Sequence, residues 1–216
     1  MPMSLIGLLL LQAARVATPG AEAEWARIEQ DLKAMPELRG TSRRSTAAAP
    51  ALVDDARSPS ITAVLKQGQM LQSMVPPGTK SAIAAIDPAI ISAHCKRVFG
   101  NPAGQQRMSD GRFNGYVSFI RCPDYVVVVE DFDYRSATAP SVIDTLPAAA
   151  IDGTMNGGSF AKTYYRNARG DGHINVSWLG RSRSMTVSIY GDARSMAAMD
   201  RIATDAAARI TAAGGR

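Results

Sequence analysis

Histidine and cysteine are the scarcest reactive residues of this 216-residue chain, two of each. His94, Cys95, Cys122 and His173 lack the usual repeating spacing of a Cys/His structural zinc cluster. Long apolar runs are also missing. Residues 5–11 (L-I-G-L-L-L-L) are uncharged but far short of the ~20 residues an ordinary membrane-spanning helix needs. Neither a Gly-x-x-x-x-Gly-Lys phosphate loop nor a Gly-x-Gly-x-x-Gly turn occurs, so nucleotide binding has no motif behind it. No sign of charge dominates: 24 basic residues against 19 acidic ones give +5, with 20% charged residues and a mean hydropathy of −0.07. These values exclude a disordered polyelectrolyte and a multi-span membrane protein. Length argues for one domain, or one domain with an appendage. Hydrophobic residues reach 46%, but 35 residues are Ala, so large core side chains are fewer than that figure suggests.

What is present points first to a compartment. Small residues follow the 5–11 run, and Ala21-Glu22-Ala23 has the small-x-small pattern that signal peptidase accepts. Residues 1–23 are therefore read as a secretory signal. No Lys or Arg precedes the apolar run, which leaves a buried N-terminal helix as the alternative. The first cysteine is Cys95, which argues against a lipoprotein. Cleavage would remove Arg15 and Glu22 and leave +5. Nineteen of the 24 basic residues are Arg; with the Ala content this points to a GC-rich bacterial genome. In an exported chain Cys95 and Cys122 are expected to form a disulfide worth about 3 kcal/mol. If the chain is not exported, two buried thiols replace it.

Within residues 24–60, Trp25, Ile28, Leu32 and Met35 share one helical face up to Pro36. Residues 37–60 read as a flexible linker with a short turn near 52–55. Ser60 caps a helix carrying Ile61, Val64, Leu65, Leu71 and Val75, weakened by Gly68 and stopped by Pro76-Pro77. Asp87-Pro88 starts another, with Ile90, Ile91, Cys95 and Val98 running to Gly100. Beyond that the period changes to two. Residues 113–122 and 125–131 form a hairpin around Pro123-Asp124, whose four-Val run suits a strand buried on both faces or covered by a helix. A short helix from Ser141 and a loop precede an antiparallel meander over 160–166, 173–179 and 183–190. A helix from Arg194, capped by Asp192, closes the chain; Met196, Met199, Ala203, Ala206 and Ile210 form its core stripe. The expected fold is α+β: a helical N-terminal region, then an antiparallel sheet of about five strands covered by the C-terminal helix, with 61–216 as one domain.

Catalytic motifs are weak. Ser159-Phe160-Ala161-Lys162 matches Ser-x-x-Lys, but the companion Ser-x-Asn and Lys-Thr-Gly motifs are missing. Residues three apart in a strand also point to opposite faces. Gly157-Gly158-Ser159-Phe160-Ala161 approximates a nucleophile elbow, with His94 or His173 as the base, yet the order loop-then-strand is wrong for it. Glu130, Asp131 and Asp133 could hold a hard cation but lack calcium-loop spacing, and read as a solvated strand end. Arg169-Gly170-Asp171 spells an integrin-binding tripeptide that turn chemistry already explains. No metal and no cofactor is expected.

Charge distribution is the most informative feature. Residues 124–152 carry six acids against Arg135, whereas 162–194 carry six bases against Asp171 and Asp192. Arg166, Arg169, Arg181 and Arg183 lie near turns, with Tyr164 and Trp178 in the same meander. One sheet end would thus present Arg and aromatic groups to an anion; alternatively, the two segments neutralise each other. The functional expectation is a non-enzymatic exported protein of a bacterial envelope, periplasmic or secreted. It would bind a partner protein or an anionic envelope component, with no nucleic acid and no transmembrane span in the mature chain. A small serine hydrolase using Ser159 with Lys162 or His173 is the alternative.

Overall fold

The computed structural model describes residues 53–54, 59–107, 109–134 and 151–213. In chain order the elements are β1 (Val53–Asp54), α1 (Ile61–Met74), β2 (Lys96–Gln106), β3 (Phe113–Arg121), β4 (Tyr125–Asp133), β5 (Gly153–Met155), β6 (Gly158–Arg166), β7 (Asp171–Leu179), β8 (Arg183–Asp192) and α2 (Met196–Ala213). The sheet order is β1-β6-β7-β8-β4-β3-β2, and β5 pairs with β6 outside that path. Two antiparallel meanders, β2-β3-β4 and β6-β7-β8, join through the antiparallel β4–β8 pair. Among the described strands only β1 runs parallel to its neighbour.

The α+β class holds, with an antiparallel sheet and a C-terminal helix. Among the described residues, however, seven strands lie along the sheet path where about five were expected. The largest departure is β2. A helix was expected from Pro88 to Gly100, but Asp87 caps only a single 3-10 turn, Pro88–Ile90, by accepting from Ala89 N–H at 3.0 Å. Two causes end it there. The Cys95–Cys122 disulfide brings Lys96 opposite Arg121, and Gly100, Pro102 and Gly104 disfavour any longer helix. Pro102 is tolerated because β2 is an edge strand. Gly104 has φ +85° where the β2–β3 register slips between Ala103 and Gln106, a bulge that needs glycine.

The four-Val run packs on both faces. Val127 and Val129 join Ile120, Ile174, Val176, Val187 and Ile189 beneath α2. Val126 and Val128 join Val117, Phe119 and Tyr190 beneath α1. Ser60 caps α1 as expected, accepting from Ala63 N–H. Gly68 has a packing reason: a β-carbon there would sit 2.9 Å from the rings of Phe99 and Phe119. On α2, Met199, Ala203, Ala206 and Ile210 are buried against the sheet, so the methionine stripe is core. Asp192 caps the Ala193–Ser195 turn that leads into it.

The expected signal (1–23), the amphipathic helix over 25–35 and the short helix from Ser141 lie outside the described residues. Within the stretch read as linker, Val53 and Asp54 pair with Tyr165 and Arg166 of β6.

Candidate functional site

Successive turns of a meander lie at opposite ends of its strands, and this separates the basic residues of β6–β8. Arg166 and Arg169 sit at the β6–β7 turn, Arg181 and Arg183 at the β7–β8 turn. Nine residues of β7 at ~3.3 Å per residue hold the two pairs about 30 Å apart. The four arginines therefore do not share one sheet end.

Three of the six expected contact residues are held within the fold. Arg183 grips Asp131 through two hydrogen bonds, Nε to Oδ1 at 2.5 Å and Nη2 to Oδ2. That hydrogen bonding raises the guanidinium pKa further, against the opposing effect of burial. The side chains are 19% and 1% exposed. Asp131 is thus buried and paired, not part of a solvated acidic strand end. Tyr164 donates its hydroxyl to Asp200 Oδ1 at 3.0 Å, and Lys162 Nζ reaches the same oxygen at 2.8 Å. Burial first, and the Asp200 charge second, push the Tyr164 phenol well above its ordinary range. Trp178 is buried, and its Nε1–H donates to Met155 O at 2.7 Å.

The other three are exposed arginines: Arg166, Arg169 and Arg181. Arg169 lies 3.7 Å from Asp171. In the Arg-Gly-Asp turn, the backbone N–H groups of Arg169 and Asp171 donate to Asn167 Oδ1. Asn167 in turn donates to the Asp171 carboxylate. The tripeptide closes a hairpin.

The hydrolase constellation does not assemble. Ser159 pairs with Leu179 in the β6–β7 ladder, while His173 pairs with Tyr165 six residues further along, about 20 Å away. His173 is stacked between Tyr165 (4.2 Å) and Tyr190 (5.0 Å). Lys162 lies on the face opposite Ser159 and is held by Asp200. His94 is exposed beside Cys95, in the connection before β2. Among the described residues, no group of three His, Cys, Asp or Glu side chains could hold a metal ion.

A different cluster forms where the disulfide staples the edge of the sheet. Cys95 and Cys122 are joined with their Cα atoms 4.3 Å apart. The neighbouring residue on each strand is basic, and register sets Lys96 directly opposite Arg121. Arg97 lies opposite Ile120, and its Nη1 donates to Ile86 O at 3.4 Å. His94, Lys96, Arg97 and Arg121 are all exposed. Among the described residues, none of them has an ion-pair partner. Like charges directly opposite in an antiparallel ladder are destabilising, by a few tenths to about 1 kcal/mol. A bridging anion would remove that repulsion, and a guanidinium offers it a two-pronged donor.

Sequence reasoning missed this corner because it placed 96–100 in a helix. The signal that could have found it is the position of Lys96 and Arg121, each adjacent to a cysteine of the expected disulfide. No family model, curated protein or solved structure matches the chain.

Proposed function

We propose that this is a non-enzymatic binding protein of an oxidising extracytoplasmic space, periplasmic or secreted. It holds an anionic envelope component through the corner made by His94, Lys96 and Arg121; Arg97, opposite Ile120, lies on the other face of the ladder. The observation that carries the reading is the Lys96–Arg121 pair, two exposed cations opposite each other with no acid between them. Support for the compartment comes from the disulfide, which persists outside the reducing cytosol. The staple also limits how far the two strand ends can splay, so the cations stay together without a ligand. Anion binding then costs little further ordering of the backbone.

Inorganic polyphosphate is a suitable probe of the corner. Binding is expected to weaken steeply with added salt and to be lost in Lys96→Glu/Arg121→Glu. Arg181→Glu, at the far end of β7, should leave it unchanged. Binding that ignores salt, or that Arg181→Glu weakens as much as the double change does, overturns the assignment. Nothing among the described residues favours the hydrolase: Ser159 lacks a base, and Ser159→Ala should alter no property of the protein.

A further inference from the structure

We infer that the anionic component is a phospholipid surface, and that the protein docks on it along α1 and β2. This rests on the reading of the Lys96–Arg121 corner and adds a second observation to it. Among the described residues the exposed large hydrophobic side chains are Met70 (55%), Met74 (70%) and Val98 (38%). All three belong to α1 or β2, the helix and strand that pack on one another where Gly68 meets Phe99. Scattered single apolar residues are ordinary on a protein surface, but concentration on one helix–strand pair is not.

Met70 and Met74 are one turn apart on the face of α1 turned away from Val64, Gly68 and Leu71, which meet the sheet. Lys66, exposed, lies one turn before Met70 on that outer face. Val98 sits at the register shift between Arg97 and Phe99, two residues from Lys96. Cationic and apolar groups therefore alternate over the same two elements. A soluble phosphate would engage the cations and leave the apolar groups in water. A bilayer with anionic headgroups satisfies both, taking Lys and Arg at the phosphate level and flexible, unbranched methionines at the acyl boundary. Among the described residues no helix is long and apolar enough to cross a membrane, so the contact is peripheral.

The test is co-sedimentation of the oxidised full chain with vesicles of phosphatidylcholine, with or without phosphatidylglycerol. Polyphosphate binding is measured in parallel. The chain is expected to pellet with the phosphatidylglycerol vesicles only. Each cation removed should cost roughly five-fold in affinity, so Lys96→Glu/Arg121→Glu abolishes pelleting. Met70→Ser/Met74→Ser, on an exposed helix face, should leave the fold and polyphosphate affinity intact while lowering vesicle affinity roughly ten-fold. Polyphosphate binding without vesicle binding overturns this inference and keeps the proposed function. Vesicle binding that is indifferent to the methionines, or that free glycerol phosphate displaces fully, overturns it in the same way. Loss of both kinds of binding in the unaltered protein overturns the two together.

Discussion

The Asp131–Arg183 pair makes the sharpest prediction about what holds the sheet end together. Asp131 is 1% exposed and Arg183 19%, so the two partners are not equivalent. In Arg183→Met the carboxylate remains in the interior with its guanidinium gone. An uncompensated buried charge of this kind costs about 3–5 kcal/mol, a fall of roughly 6–20 °C in Tm for a domain of ~150–250 residues. In Asp131→Leu the guanidinium loses its partner but keeps an open side toward water; the cost is about 1–3 kcal/mol. Asp131→Leu/Arg183→Met removes both charges and should lie within ~2 kcal/mol of the unaltered protein. Thermal and urea unfolding of the single and double variants, followed by circular dichroism at neutral pH, supplies the comparison. A coupling of at least ~2 kcal/mol is expected between directly bonded partners. The reasoning is refuted if Arg183→Met costs no more than the exposed Arg181→Met, or if the two single costs simply add. Polyphosphate binding should survive Arg183→Met in protein that remains folded, separating this structural arginine from the binding corner.

Three further outcomes are expected. Cys95→Ser/Cys122→Ser should lower stability by about 3 kcal/mol in urea titration and weaken polyphosphate binding, because Lys96 and Arg121 lose the staple between their neighbours. Burial first, and the Glu130 charge second, hold the Tyr190 phenol above its ordinary value of 10.0. Its contribution to stability is therefore complete below pH 10 and lost as pH rises toward the higher folded-state value; Tyr190→Phe should flatten alkaline unfolding curves above pH 10. Gly104→Ala combines a positive φ with a β-carbon that overlaps Asn114 Oδ1 and should cost at least ~1–3 kcal/mol by thermal unfolding, whereas alanine at exposed Lys66 should cost under ~0.5 kcal/mol.

The parts of this fold written in short-range pattern were legible without coordinates. Alternation of Ile174, Val176 and Trp178, and of Met185, Val187 and Ile189, marks β7 and β8, because strand side chains switch face at every residue. Ser60 and Asp192 announced the starts they cap, since a cap needs only the next two or three amides. Cys95 and Cys122, as the only cysteines, had one possible intramolecular pairing, which the structure contains. Residues 90–98 misled because Ile90, Ile91, Cys95 and Val98 imitate a helical spacing. The edge strand that replaces that helix carries Gly, Pro and Gly in place of alternating apolar residues.

The α+β class, the meander, both caps and the chemistry of the staple follow from local pattern. Each depends on residues close along the chain or on a choice with one member. Which charges meet is settled by the way the sheet assembles. Arg183 found Asp131 fifty-two positions away, Lys162 and Tyr164 found Asp200, and Lys96 came to rest against Arg121. Strand order and register bring distant positions together, so a count of charge along the chain does not specify which side chains become neighbours.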